Sequence, residues 1–316
     1  MKQKLHSLLL LVVLLSWSIV IAASDFDDGI LKYTITSPEN LEVQCDGFTD
    51  AHINDESVVI PETVKYNKKN YTVVLIRDLA FEDCRGLTSI KIPSSVTSIG
   101  NYVFSGCSSL TSIKIPSSVT SIGECAFRYC SGLTSIDIPS SVTSIGNDAF
   151  SGCSSLTSLI LPSSVTLIGE GAFASCTSLT SFTIPSGVTS IDANVFSGCS
   201  SLTNIEFPSS IISIGFHAFE GCSSLTSIDI PSSVISIGNG AFQYCRSLTI
   251  LVIPSSVTSI GSFAFSNCTG LTSLVIPSSI YSIPDYAFYK CTKLISIKFP
   301  LEIKSIGNGA FLCLYL

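Results

Sequence analysis

The chain has 316 residues, of which 12% are charged, and a formal net charge of −7; a typical globular protein has about 25% charged residues. A mean hydropathy of +0.54 excludes a disordered chain, and the prolines and serines that interrupt every apolar run after residue 23 exclude a membrane-embedded body. The acidic balance, with no basic cluster beyond Lys65, Lys68 and Lys69, argues against nucleic acid and anionic membrane as partners.

A basic and then apolar segment opens the chain. Lys2 and Lys4 precede an apolar run from Leu8 to Ala23, and this pattern predicts a secretory signal peptide over residues 1–23. The alternative is an uncleaved membrane anchor, but the run has only 16 residues, whereas a spanning helix needs about 20. Cleavage would remove two lysines and no acidic residue, so the net charge would change from −7 to −9. We therefore expect a secreted or cell-surface protein with no integral membrane segment after cleavage.

From residue 87 onwards the sequence repeats every 23 residues, ten times, and the register is undisturbed until the last few residues. The consensus is L-T-S-I-x-I-P-S-S-V-T-S-I-G-x-x-A-F-x-x-C-x-x. An unbroken period predicts a repeat solenoid in which each unit stacks on its neighbours to bury a shared core. The predicted organisation is a signal peptide (1–23), an N-terminal entry and capping region (24–86) and ten repeats (87–316).

Each unit contains two predicted extended segments. The pattern of residues 89–92 places two isoleucines on one side of a strand and a serine and a lysine on the other. Pro93 lacks an N–H and ends this strand. Phe104 and Cys107 are spaced as in one helical turn. A unit of this length leaves no room for a long helix, so its second side should be 3₁₀-like or short-stranded.

A glycine, Gly100 in the first unit, occupies the turn position in most units, which is typical of a positive φ. Asp192 at the same position fits that interpretation, whereas Pro284 does not, because proline holds φ near about −65°. The position therefore predicts a tight turn rather than a strictly left-handed residue.

The motif LxxIxIPxxVTSIGxxAFxxC resembles the leucine-rich repeat of the BspA type, found in surface proteins of anaerobic bacteria and parasitic protists. The resemblance covers residues 87–316, and residues 58–84 resemble the family's entry unit with a nine-residue insertion. It implies a right-handed solenoid with a parallel sheet on the concave side. It also implies roles in adhesion or host interaction, with no catalytic residues.

Ten of the 13 cysteines recur every 23 residues, from Cys84 to Cys291. Disulfides are typical of secreted chains, and stacked units about 4.8 Å apart are close enough to form them. Equivalent sites nevertheless have parallel side-chain vectors, which disfavour a disulfide. We favour a column of free thiols that fills the core beside the phenylalanines. The core positions predicted in the first three repeats are Cys107, Cys130, Cys153, Phe104, Phe127 and Phe150.

Function should lie where the repeats differ, because the core positions must recur. The outward position between the two strand isoleucines varies most. One part of the strip that these strands form is apolar, because Val252 and Val275 occupy the variable position and Ile250 replaces a serine beside them. Exposed apolar and aromatic residues on a rigid sheet are typical of protein-binding surfaces, although single exposed apolar residues are also common by drift. The predicted partner-binding residues are Ile250, Val252, Val275, Tyr281, Asp137, Glu206 and Asp229.

The predicted partner is a protein, such as a host surface or matrix protein. Two alternatives remain open. Threonine ladders on a solenoid could bind ice or polysaccharide, but residues such as Ile212, Tyr281 and Lys304 interrupt them. The apolar ending FLCLYL could instead associate end to end, since solenoid ends normally need a cap.

We expect no enzymatic activity, cofactor or metal site. The chain has no CxxC pair and only three histidines, which disfavours zinc. His52 and His217 have no recurring acid or nucleophile near them to form a catalytic triad. Two glycosylation sequons begin at Asn70 and Asn267. We expect the first to be used, in the inserted loop, and the second to be silent beside the cysteine column.

Overall fold

The alternation in each repeat produces two short strands separated by the Pro-Ser-Ser turn. The computed structural model describes residues 25–313, which form a parallel β-solenoid of about ten turns; the predicted signal peptide lies outside the described residues. The longer strands, here called front strands, have two outward side chains around one inward apolar side chain, as the sequence predicts. Within the described residues they are Ser89–Lys91, Ser112–Lys114, Ser135–Asp137, Ser181–Thr183, Asn204–Glu206, Ser227–Asp229, Ile250–Val252, Ser273–Val275 and Ser296–Lys298.

The second side of each repeat is a two-residue strand, here called a back strand, rather than a 3₁₀ helix. Its isoleucine packs inward in all but the last repeat. The back strands of the described chain are Ser98–Ile99, Ser121–Ile122, Ser144–Ile145, Leu167–Ile168, Ser190–Ile191, Ser213–Ile214, Ser236–Ile237, Ser259–Ile260, Ser282–Ile283 and Ser305–Ile306. Turns closed by i→i+3 hydrogen bonds, such as Cys107 N–H to Phe104 O at 3.1 Å, connect each back strand to the next repeat.

The core consists of columns of identical side chains. The phenylalanine column runs from Phe81 to Phe311, and its consecutive rings stack with centroids 5.2 to 5.7 Å apart. Leucine, isoleucine, valine, alanine and cysteine columns surround it and are almost fully buried. No single repeat could bury these groups alone, so the free energy of folding comes from stacking.

Serine hydroxyls add hydrogen bonds between neighbouring repeats. The second serine of the Pro-Ser-Ser turn donates to a main-chain carbonyl of the preceding repeat, as Ser233 Oγ does to Ile211 O at 2.6 Å. Ser256 occupies the same position, yet its buried Oγ has no hydrogen-bond partner within the described residues. The equivalent members with a bond are Ser95, Ser118, Ser141, Ser164, Ser210, Ser233 and Ser279.

Glycine at the turn position allows the main chains of neighbouring repeats to approach each other closely. Gly123 lies outside the left-handed region, and a Cβ on it would lie 2.5 Å from Gly100 O of the preceding repeat. The residues with positive φ lie two and six places after the turn position of each repeat; after Gly100 they are Tyr102 and Gly106. At the second of these positions, one large side chain lies against a glycine of the next repeat. The Tyr129 ring lies 2.5 Å from where a Cβ on Gly152 would be.

Six strands form the N-terminal region: β1 (Asp25–Asp27), β2 (Leu31–Ser37), β3 (Glu42–Phe48), β4 (Ser57–Val59), β5 (Thr63–Tyr66) and β6 (Lys69–Ile76). β1, β2 and β3 pair antiparallel, and β3 pairs in parallel with β6. This sheet continues into the solenoid, because β6 pairs with the first back strand. Phe48 packs edge-on against Phe81, with ring centroids 5.3 Å apart, and so covers the start of the phenylalanine column.

The register locates the nine-residue insertion. β4 pairs with the first front strand at an offset of 32 residues, Ser57 opposite Ser89, whereas β6 pairs with the first back strand at an offset of 23, Leu75 opposite Ser98. The antiparallel hairpin of β5 and β6 lies between these two pairings and accounts for the difference of nine. The insertion therefore projects from the entry unit and leaves the stacking on both sides intact.

Candidate binding face

The outward side chains of the front strands form one face of the solenoid, here called the front face. Its variable column is in register across the last four repeats: Asp229 pairs with Val252, Val252 with Val275, and Val275 with Lys298. Side chains at paired positions of parallel strands lie about 4.8 Å apart. Along the solenoid, the column therefore presents an acidic, two apolar and a basic side chain, each beside the next.

Three of the predicted residues form a contiguous apolar patch on this face. Ile250 and Val252 project from the same front strand on either side of the buried Leu251, and Val275 lies beside Val252 on the next strand. Their exposed fractions are 61%, 66% and 55%. Hydrogen bonding to the strands on both sides holds this part of the sheet. The patch is thus a preformed surface, since its strands need no ordering upon binding.

The predicted acidic residues are also on the front face but are spread along it. Asp229 adjoins the patch, Glu206 lies one repeat earlier and accepts a hydrogen bond from Thr183 Oγ1 at 3.0 Å, and Asp137 lies in the third repeat beside Lys114. Asp229 therefore belongs with the patch, whereas Asp137 lies five repeats from Val252, on the order of 24 Å at normal strand spacing.

Tyr281 is not on the front face. It directly precedes the back strand Ser282–Ile283, which belongs to a different sheet from the front strands. Its ring is 47% exposed, and the Lys304 ammonium lies 5.3 Å from the ring centroid. Tyr281 therefore does not share a face with Val252 and Val275, because the turn that follows each front strand directs this position to another side of the solenoid. Its role in partner binding stays a prediction.

The recurring cysteines are buried, and they are free thiols in this structure. Each thiol from Cys107 onwards donates to the carbonyl of a phenylalanine in the preceding repeat, 26 residues earlier, at 3.0 to 3.2 Å. Burial raises the pKa of the Cys130 and Cys176 thiols to about 12. The column consequently consists of protonated thiols that link the repeats.

Family comparisons agree with this architecture. The family model for the BspA-type leucine-rich repeat region matches residues 74–203 and 189–315, in six copies. The chain belongs to the BspA-type leucine-rich repeat family. No curated protein in the comparison matches it.

Solved structures of bacterial leucine-rich repeat proteins are similar to this BspA-type chain. A leucine-rich repeat protein from Bacteroides ovatus is 31% identical, with 92% of each chain covered and a TM-score of 0.58. A leucine-rich cell surface protein from Faecalibacterium prausnitzii is 29% identical, with 92% of this chain and 87% of that one covered and a TM-score of 0.56. The T. pallidum leucine-rich repeat protein is 28% identical over 71% of this chain and 91% of its own, with a TM-score of 0.55.

The two histidines of the described chain each contact a nearby carboxylate. His52 Nδ1 lies 2.8 Å from Asp55 Oδ2, and His217 Nδ1 contacts Glu220, each carboxylate being three residues further on. Sequence reasoning missed these two acids, although the i, i+3 spacing was visible. Across residues 25–313, no three His, Cys, Asp or Glu residues converge where they could hold a metal ion.

The two sequons occupy different surroundings. Asn70 is exposed on β6 of the inserted hairpin, opposite Lys65 of β5. Asn267 is only partly exposed and donates through Nδ2 to Ser266, directly before the buried Cys268. Asn70 is therefore the more accessible of the two for glycosylation.

The structure also has features that the repeat pattern alone did not single out. Ile160 is 84% exposed on the front face of the fourth repeat, in a part of the chain with no assigned front strand. Its identity at the variable position was visible in the sequence, but the break in strand pairing was not. Within residues 25–313 the structure has no helix long and apolar enough to cross a membrane.

Proposed function

We propose that this BspA-type chain is a secreted or surface-displayed, non-enzymatic protein that binds a partner protein through its front face. The observation that carries the proposal is the contiguous patch of Ile250, Val252 and Val275, each more than half exposed on hydrogen-bonded strands. Exposed apolar groups at the centre of a rigid surface are the usual source of binding energy in protein interfaces. The cell-surface description of the Faecalibacterium prausnitzii relative supports the proposed location.

Charge around the patch favours a protein over a sugar or an ice surface. Asp229 and Lys298 lie at the two ends of the valine pair. A partner that places an apolar side chain on the patch, with a basic group toward Asp229 and an acidic group toward Lys298, would match it. The front face is the one that the family resemblance makes concave, so it would curve toward the partner.

Binding of residues 24–316 to a panel of immobilised, purified surface and matrix proteins tests the proposal. The double variant Val252→Asp and Val275→Asp should weaken capture of any partner at least about tenfold, because two charges would replace the apolar centre. Ile235→Asp is the matched control, since Ile235 is 49% exposed beside a back strand. Equal binding by the double variant and the parent chain would refute the role of the patch.

Self-association through the last repeat is a second candidate function. The tenth repeat exposes Ile295, Phe299, Leu301 and Ile306, with Leu301 fully exposed. Exposed apolar groups in this number on one repeat favour contact with a second copy. Light scattering of the parent chain and of Leu301→Glu tests this function: the parent should form concentration-dependent oligomers that the variant lacks. A parent chain that stays monomeric at all concentrations argues against it.

A further inference from the structure

The front sheet is interrupted in the fourth repeat. Residues 158–160 occupy the register of a front strand but pair with neither Ser135–Asp137 nor Ser181–Thr183. Within the described chain, residues 158–161 make no backbone–backbone hydrogen bond. These four residues are here called the open segment.

Larger side chains under the front sheet accompany this interruption. Phe182 replaces the usual isoleucine in the fifth repeat, and its ring lies 4.9 Å from the rings of both Phe173 and Phe196. Phe207 replaces another isoleucine in the sixth repeat. Because interiors are close-packed, a ring in place of an isoleucine changes the packing beneath the front sheet at this level.

The back sheet is interrupted at the same level, whereas the turns are not. Leu167–Ile168 does not pair with Ser190–Ile191, and Gly187 lacks the hydroxyl that links repeats elsewhere. On the turn side, Phe173 N–H still donates to Val195 O at 3.0 Å. The fourth and fifth repeats are thus hydrogen-bonded at their turns but do not pair through their strands.

A groove of about 730 Å³ lies on the front face at this position. Its floor and walls are mostly apolar, formed by Ile160, Phe182, Pro185 and Phe207. Ile160 is 84% exposed at its edge, and Glu206 lines its other side. The volume is in the range of small ligand pockets and would accept one or two apolar side chains.

Charge at the groove is acidic. Asp137 precedes Ile160 in the variable column, Glu206 and Asp229 follow Thr183, and the groove-lining residues include no lysine or arginine. Lys114 is in register beside Asp137, so Glu206 and Asp229 contribute more of the negative potential. Glu206 is the one charged residue among those that line the groove, so it is the group that a cationic side chain would meet there.

We infer that this groove binds an extended peptide segment of a cationic protein, with an apolar side chain in the groove and a neighbouring lysine or arginine directed at Glu206. Charge complementarity and the apolar lining together select this occupant. The inference rests on the proposed function in using the same front face. It concerns a site two repeats away from the Val252 patch, so either can fail without the other.

Fluorescence anisotropy with a labelled acetyl-Gly-Lys-Ser-Leu-Ser-Lys-Gly-amide peptide tests the inference on residues 24–316. We expect saturable binding that weakens at least about tenfold with Glu206→Lys and with a peptide carrying glutamates in place of lysines, since both reverse the charge match. Replacing the peptide leucine with alanine, or Ile160→Ser, should also weaken it. Val275→Asp should leave it unchanged and so separates this groove from the patch.

The peptide substitutions leave the protein unaltered, so loss of folding cannot imitate their effect. Three results would each overturn the inference. They are no saturable binding by the parent chain, equal binding of the leucine and alanine peptides, and binding that Glu206→Lys does not weaken. Loss of binding in Val275→Asp alone would assign the peptide to the patch instead.

Discussion

The thiol of Cys130 donates a hydrogen bond to the main-chain carbonyl of Phe104 at 3.0 Å, across the boundary between two repeats. The same contact recurs along the solenoid, so one side chain in each repeat serves both the core and the link to its neighbour. A thiol suits this position because it is small, apolar and still able to donate.

Stability should fall steeply at alkaline pH. Burial raises the pKa of the Cys130 thiol from 9.0 to about 12, so the folded chain keeps a proton that the unfolded chain loses between these values. The stabilisation is complete below about pH 9 and is lost as pH rises toward about 12, by about 1.4 kcal/mol per pH unit for each such thiol. Urea unfolding midpoints from pH 7 to pH 11 measure this. A triple variant with alanine at Cys130, Cys176 and Cys222 should show a shallower slope, and an unchanged slope would contradict the prediction.

Thiol labelling of the native chain should be confined to one cysteine. Cys313 is exposed, whereas the other twelve cysteines of the described chain are buried. A thiol-specific reagent at pH 8 should therefore react rapidly with one thiol per folded chain and with all thirteen after denaturation, because the thiolate is the reactive form and burial suppresses it. The control is Cys313→Ser, in which the rapid phase should vanish. Rapid labelling of several thiols in the native chain would show that the column is accessible.

Gly123→Ala should be strongly destabilising. The added Cβ would lie 2.5 Å from Gly100 O, a main-chain atom that cannot move without separating the two repeats. We expect a cost of about 2 kcal/mol or more. Gly86→Ala is the matched control, since its Cβ would come no closer than 3.5 Å to Asn54 O. Urea unfolding should thus show a large shift for the first variant and little for the second, and equal shifts would reject close approach as the reason for glycine.

Two serines at equivalent positions should respond differently to alanine. Ser233 Oγ donates to Ile211 O at 2.6 Å, and its loss should cost about 1 kcal/mol. The buried Oγ of Ser256 has no partner in the described chain, so Ser256→Ala should be neutral or stabilising by about 1 kcal/mol. Thermal unfolding of both variants decides the matter. A larger loss for Ser256→Ala than for Ser233→Ala would show that Ser256 has a partner in solution.

The period and the alternation around Ile90 and Ile92 were sufficient to predict the solenoid and its two extended segments, because each repeat faces the same packing problem. The family was indicated separately, by the resemblance of the repeat motif. Details that depend on contacts between particular repeats were not predictable in this way. The open segment lies one repeat before Phe182, and the repeat pattern does not show that its strand pairing is absent. The location of Tyr281 depended on which sheet follows the turn after Pro277, and a linear pattern does not specify that.

The candidate site was predictable in part. The apolar patch could be identified from Ile250, Val252 and Val275 because alternation alone tells which side chains point outward. The groove at Ile160 could not, since its volume comes from a missing set of backbone hydrogen bonds rather than from any single residue type. The variable column shows where the repeats differ in sequence, whereas the structure shows which of these differences accompany a change in the shape of the front face.

The matching of Tyr129 to Gly152 limits how the gene could change its number of repeats. A constant repeat length of 23 residues allows whole units to be deleted or duplicated without disturbing the register. Deleting the unit that contains Gly152 would place Tyr129 over Ser175, whose Cβ occupies the space that the ring needs. Deleting two units would place it over Gly198 instead. We expect variants with fewer repeats to keep Tyr129 followed by a glycine, whereas Tyr244, which Asn267 follows in the same register, imposes no such condition.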